Sequence, residues 1–360
     1  MARYALSSRR PNVLQRRMSP MGALFLLLIC FIGAAVQARA QSGRAKPQTQ
    51  SDQPIRLRAE EVLVPVNVQS DTGKLPDHLT ASDLIVVEDN SRRAITDLLR
   101  TPASIVLIVD NCIALGSVSV KQVNLNRDAA LSVIDSMGGD DKAAILTYAG
   151  KVNLLSGWTG DKQALRIALT ERFKLGAKSY LYDSLVYAAE ELLAKAPGRH
   201  TVVLFTDGYD DFPKNALDKA TQALDRARAT VYTIDQSSMI VKELKPAVTN
   251  KSPSNLLSLG LQPSYREMIA DWQRYMGIIQ EEEKTMKSLA EDSGGTFWDP
   301  GDAAEFRKDW GALISAMGSE YVVAYFSDRE AGDTALHELK VYPSRPGLEV
   351  KARHGVYASQ

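Results

Sequence analysis

Apolar positions follow two rhythms along this chain. Val62, Val64, Val66 and Val68 alternate with Leu63, Pro65 and Asn67, the period-two pattern of a half-buried strand. Pro65 has no backbone N–H to give a ladder, which predicts an edge strand. Asp71-Thr72-Gly73-Lys74 reads as a turn, and two more strands are predicted at 84–88 and 93–99, joined as a hairpin by Asp89-Asn90-Ser91. From residue 104 the rhythm changes to short, continuous apolar runs separated by helical periods. The runs predict strands at 104–109, 143–148, 152–155, 201–206, 230–235 and 296–298, and the periods predict helices at 123–137, 162–173, 181–194, 215–229 and 303–317. Strand and helix in strict alternation is the signature of a parallel α/β layer fold. The stretch 142–155, broken at Ala149-Gly150, predicts a hairpin that adds one antiparallel edge strand. Beyond Gly318 the alternating pattern returns at 321–326, 336–342 and 348–353. Neither β segment is long enough to bury a core alone, so the two are expected to pack into one sandwich.

More residues lie between the strand ending at Asp235 and the one starting at Thr296 than a single crossover needs. A helix at 264–292 carries Tyr265, Met268, Ile269, Trp272, Tyr275, Met276, Ile279, Met286 and Leu289 at helical spacing, which predicts a docked face. Glu281-Glu282-Glu283-Lys284 reads as its solvated side. If exposed, the apolar run 256–261 would favour an interaction role.

Asp110 and Asp207 each follow a buried-type strand, so both carboxylates fall at strand C-termini. In an open doubly wound sheet, ligands bind where neighbouring strands send their crossovers to opposite faces, and two strands flanking that point would bring the acids into one crevice. Oxygen ligands of this kind suit a hard cation such as Mg2+. The pattern resembles the von Willebrand factor type A domain with its metal-ion-dependent adhesion site, built from Asp-x-Ser-x-Ser, a Thr on a second loop and an Asp after the fourth strand. Here the first motif reads Asp110-Asn111-Cys112-Ile113-Ala114, so a thiol and a methyl stand at the serine positions, and Ser179 aligns with the Thr. The resemblance implies a degenerate metal site of Asp110, Ser179 and Asp207, with Mg2+ held weakly because a thiol is a soft ligand. The layout is also similar to that of exported bacterial type A-related proteins. The matching features are Leu79-Thr80 followed by Asp83, the acidic pair Glu88-Asp89, and the ending Ala352-Arg353-His354-Gly355-Val356-Tyr357, one residue out of step with the usual Ala-Arg-x-Gly-Tyr. The fold this implies is a doubly wound, mostly parallel, Rossmann-like sheet with a small β-sandwich formed from the N- and C-terminal segments.

The first residues read as an address. Arg9, Arg10, Arg16 and Arg17 precede an apolar run at 21–36, and Ala38-Arg39-Ala40 is a small-x-small cleavage site. Asn12 departs from the twin-arginine pattern, and Ile29 before Cys30 departs from a lipobox, which leaves a general secretory signal at 1–40, with an uncleaved anchor as the competing reading. A polar linker at 41–54, a β segment at 55–100, a type A-like domain at 101–318 with an insertion at about 237–292, and a β segment at 319–357 follow. Export predicts a periplasmic or secreted protein that meets a membrane only through an uncleaved signal.

Lys and Arg total 43 and so do Asp and Glu, with pI ≈ 6.9 and no basic cluster after the leader, so a nucleic-acid partner is not expected. Cleavage would leave Cys112 as the one thiol. No base is placed to activate it: His200 begins the strand that Asp207 ends, about 20 Å away at roughly 3.3 Å per residue. His78, His337 and His354 fall in the β segments. An enzyme using Cys112 would need a base from another chain, and no small-molecule substrate is expected. The expected function is a non-catalytic, protein-binding or adhesion-type module using the crevice. The alternative is an envelope scaffold with no ligand there.

Overall fold

The computed structural model describes residues 60–76, 78–113, 117–211, 215–249, 263–329 and 333–357. The leader and linker, Ala114 and the 256–261 run lie outside them. The described chain opens with β1 (Glu60–Ser70), β2 (Leu84–Glu88), β3 (Ser91–Arg93) and β4 (Ile95–Leu99). Asp89 and Asn90 both take left-handed backbone angles, φ 47° and 63°, between the paired residues Glu88 and Ser91. A two-residue turn of that hand matches the twist of a hairpin. The strand expected at 93–99 is two strands: β3 stays with β2, whereas β4 crosses to another sheet.

The α/β part runs β5 (Ala103–Val109), α1 (Ser117–Ser136), β6 (Lys142–Thr147), β7 (Asn153–Thr159), α2 (Lys162–Glu171), α3 (Leu181–Tyr187), β8 (Arg199–Thr206), α4 (Leu217–Arg226), β9 (Thr230–Asp235), α5 (Ser237–Thr249), α6 (Pro263–Asp292), β10 (Thr296–Trp298) and α7 (Ala303–Gly318). Its six-stranded sheet has the order β10-β9-β8-β5-β6-β7, parallel throughout except for β7, the foreseen antiparallel edge. Every residue of β5 is buried because helices cover both faces, which explains its unbroken apolar run. Leu107, Ile145 and Val203 pack on one face, and Val106, Leu146 and Leu204 on the other. Asp161 caps α2 by accepting from the Gln163 and Ala164 amides, and Asp302 caps α7 in the same way. The helix expected at 181–194 is α3 followed by a π turn at Ala188–Leu192 and a 3-10 turn at Leu193–Lys195. Helix α5 was not foreseen in the sequence, and Pro246 lies inside it.

The tail adds β11 (Glu320–Ser327), β12 (Leu336–Pro343), β13 (Leu348–Ala352) and β14 (Gly355–Tyr357). Two four-stranded sheets result, β13-β1-β11-β4 and β14-β12-β2-β3, each mixing strands from before and after the α/β part. Val62, Val64, Val66, Leu84, Tyr321, Val323, Leu339 and Val356 fill the space between them, so the expected sandwich forms. Strand β1 is interior, not an edge: β11 pairs with it through Pro65, but the β13 ladder begins only at Val66. Pro65 therefore has a neighbouring strand on one side only, where its missing N–H can be tolerated.

Buried charges tie the parts together. Glu320 of β11 accepts from Arg199 Nη1 at 2.9 Å and from Thr230 Oγ1 at 2.9 Å, linking the sandwich to the ends of β8 and β9. Arg353, from the ending noted in the sequence, is buried and donates to Asp225 of α4 at 2.7 Å and to the Gly355 carbonyl at 2.7 Å.

Candidate functional site

Strands β5 and β8 are adjacent, and the chain leaves them toward opposite sides of the sheet, to β6 and to β9. Asp110 and Asp207 therefore sit at the switch point, as their strand-end positions predicted. The backbone holds both acids in place. Asp110 N–H donates to the Phe205 carbonyl at 3.1 Å and its Oδ1 accepts from the Cys112 amide at 2.8 Å, while Asp207 Oδ1 accepts from the Tyr209 amide at 3.0 Å. Each carboxylate so closes a tight local turn. Burial, reinforced by the Asp207 charge, pushes the Asp110 carboxyl well above the usual carboxylate range. Burial also pushes Asp207 up, against the hydrogen bonds from Tyr275 and Tyr209 that favour its charged form. Below them the Tyr148 phenol donates to Thr206 Oγ1 at 3.0 Å.

The crevice is roofed, a feature that the strand ends alone did not foreshadow. Asp110 is 6% exposed and Asp207 9%. Helix α6 lies across them, and the Tyr275 hydroxyl donates to Asp207 Oδ2. The Tyr275 ring leans on Tyr209 with centroids 4.8 Å apart, and the Tyr182 hydroxyl reaches Glu282 Oε2 at 2.9 Å. Gly208 allows this approach. Its φ is +78°, and a Cβ there would stand 2.9 Å from the Glu282 Cβ. Tyr275 had been counted only as one of an apolar stripe; the signal missed was that a buried phenol needs a partner for its O–H.

Ser179 comes to the same place by another loop. Its hydroxyl donates to the Tyr209 carbonyl at 2.5 Å, two residues beyond Asp207, and its amide donates to Asp211 Oδ2 at 2.7 Å. Asp210 and Asp211 stitch loops together: Asp210 Oδ2 accepts from the Tyr182 amide at 2.9 Å, and Asp211 Oδ2 from the Ser179 amide. Asn111 was also missed. Its Oδ1 accepts from the Ala149 amide at 2.8 Å, and its Nδ2 donates to the Lys174 carbonyl at 2.5 Å, clamping three loops.

The donor set does not fit Mg2+ in this arrangement. Both Asp207 oxygens accept protein hydrogen bonds, the Ser179 hydrogen is committed to Tyr209, and the Cys112 thiol is a soft group. A hard cation would have to displace the Tyr275 hydroxyl from Asp207 Oδ2, whereas the Ser179 oxygen keeps its lone pairs. Among the described residues no group of three or more His, Cys, Asp or Glu side chains is placed to hold a metal.

Two further strands carry an Asp at their C-terminal ends: Asp110, Asp207 and Asp299 follow β5, β8 and β10, and Asp235 is the last residue of β9. Asp235 is fully buried; its Oδ1 accepts from the Ser237 amide at 2.7 Å, and burial pushes its carboxyl up to about 8. Folding therefore favours the protonated form. The contribution is complete below the ordinary value near 3.8 and is lost as pH rises through about 8. Asp235→Asn, neutral at every pH, should flatten the wild-type decline. Urea midpoints at about pH 5 and about pH 8 check this: the variant should gain relative to wild type at the higher pH, and parallel losses would count against it.

His200 stands at the far end of β8, where its ring contacts the Ala227 and Ala196 carbonyls at 2.6 and 2.9 Å. Cys112 is buried beside Asp110.

The family model of the von Willebrand factor type A domain matches residues 104–266. Proximal thread matrix protein 1 from the mussel byssus is similar at 11% identity and TM-score 0.44, over 74% of this chain and 50% of that one. An aerotolerance-related membrane protein from Bacteroides fragilis is similar at 15% identity and TM-score 0.32, over 37% and 67%. The von Willebrand factor domain of the type V pili tip protein Mfa5 from Porphyromonas gingivalis is similar at 16% identity and TM-score 0.28, over 31% and 39%. The chain thus spans half the length of the thread matrix protein and less of the pili tip domain. No curated protein matches it. No helix among the described residues is long and apolar enough to cross a membrane.

Proposed function

Since residues 104–266 form a von Willebrand factor type A domain, we propose that the chain is a non-catalytic, exported module that binds another protein at the C-terminal edge of its central sheet. The observation carrying this reading is how the polar groups at that edge are used. Asn111, Ser179, Asp210 and Asp211 all fix loops to one another, which makes a rigid rim. On that rim Leu175 is 49% exposed between the exposed Lys174 and Lys178 side of the 174–178 loop. On this reading Leu175 is the side chain that the partner buries, with the two lysines at the rim of the contact. Divalent cations bind weakly and do not carry the contact, and the protein acts in the periplasm or outside the cell. The burial of both carboxylates under α6 favours a second reading, a scaffold with no ligand at the crevice.

Capture from an envelope fraction, with and without EDTA, separates the two. Leu175→Asp should reduce capture of a specific partner about tenfold or more, as loss of an interface anchor does. Leu336→Asp, on a residue 52% exposed on the sandwich, should leave it intact, and EDTA should change little. Equal capture by both variants would remove the rim from the account.

A further inference from the structure

We propose that helix α6 is a latch carrying an internal ligand: the Tyr275 hydroxyl occupies the Asp207 carboxylate in the closed state, and α6 must lift before anything else reaches the crevice. This rests on the reading of the crevice edge as a binding surface. Near its middle, α6 touches the crevice through few groups: Tyr275 on Asp207 and on the Tyr209 ring, and Glu282 on the Tyr182 hydroxyl and against Gly208.

The apolar contacts of this half lie elsewhere. Tyr275 and Ile279 cluster with Ile240 and Leu244 of α5, and Ile269 pairs with Val248, both clusters being separate from the two cores of the main sheet. Only at its C-terminal end does α6 enter a main core, through Met286 and Leu289. The C-terminal end of α6 is thus seated in a main core, whereas the half bearing Tyr275 packs on α5, which itself reaches the sheet core through Met239.

Gly277 supplies the weak point. It is exposed, and nothing lies within 4 Å of where its Cβ would be, so close packing does not explain it. A glycine inside a helix costs about 1 kcal/mol relative to alanine, and it stands between the Tyr275 contact and the anchored end. Local opening of such a segment needs less free energy than unfolding of the sheet. The contact that closes it is specific. A phenol O–H gives buried Asp207 the donor that a cation or an outside ligand would otherwise have to supply, and Glu282 adds a second tie outside the crevice.

Cys112, buried beside Asp110, reports opening without any partner. The intact chain is treated with a thiol reagent, the label on Cys112 is followed by peptide mass mapping, and amide exchange is measured in parallel. Tyr275→Phe keeps the ring and removes the donor. It should speed Cys112 labelling and exchange of the 269–282 amides at least tenfold, while β5 and β8 amides stay within twofold of wild type. Gly277→Ala should slow both processes by a similar direction of argument, to about one fifth of wild type. Equal labelling in all three proteins would overturn the latch, as would β5 and β8 exchange rising in step with α6, which is ordinary loss of stability. The test uses no partner, so its failure leaves the rim reading standing, and failure of Leu175→Asp to reduce capture leaves the latch standing.

Discussion

Glu88→Ala is expected to lower the unfolding free energy by about 3–5 kcal/mol, the cost of leaving a buried charge without its counterpart. Glu88 read in the sequence as half of the acidic pair Glu88-Asp89, and it is fully buried between the sandwich sheets. It accepts from the Tyr325 hydroxyl at 3.0 Å and the Ser327 hydroxyl at 2.7 Å, and it pairs with Arg93 at 3.2 Å and with Arg329. Removing it strands the Arg329 guanidinium, whose side chain is buried and whose Nε and Nη1 already lack partners. Breaking a buried pair is costlier than replacing it, so Glu88→Leu combined with Arg329→Leu should lose less than Glu88→Ala alone. Urea unfolding measures both, and a loss below about 1 kcal/mol for Glu88→Ala would show that the cluster does not hold the sheets.

Gly208→Ala should cost about 2–5 kcal/mol. A left-handed backbone costs an L-residue roughly 1–2 kcal/mol, and forcing a methyl into a packed contact costs about 1–3 kcal/mol more. Here the methyl would meet the Glu282 Cβ at 2.9 Å, close to the α6 backbone, and cannot be accommodated by turning a side-chain end. The same substitution should raise α6 from the crevice. A variant as stable as wild type, with unchanged Cys112 labelling, would mean that α6 does not press on this turn.

Much of the fold was legible because each layer leaves its own period in the sequence. Strands buried on both faces, such as β5 and β8, have no polar side and so appear as unbroken runs ended by Asp. Sandwich strands show alternation, and their shortness forced the two segments together. What stayed hidden depends on partners distant in sequence. Nothing local to Ala94 says that β3 and β4 belong to different sheets, since the alternation continues through it. Pro65 looked like an edge signal because the offset between two ladders cannot be seen in one strand. At the site, Asp110, Ser179 and Asp207 were found from strand ends and a loop motif. Tyr275 was not, because its hydroxyl meets a partner 68 positions away, and in a stripe of apolar residues a tyrosine looks like any other ring. Asp210 and Asp211 were missed for a similar reason: their acceptors' value lies in amides of another loop. Asp235 and Asp299 carried the same strand-then-Asp pattern as the recognised pair and could have been read from it.

The central claim, that α6 in its closed position holds a partner off the crevice edge, is tested most directly by the affinity of the captured partner for wild type and for Tyr275→Phe. Lifting the latch removes the share of molecules held closed, so binding should tighten by about fivefold or more. Affinity unchanged or weakened by Tyr275→Phe, with the rim residue Leu175 intact, would contradict it.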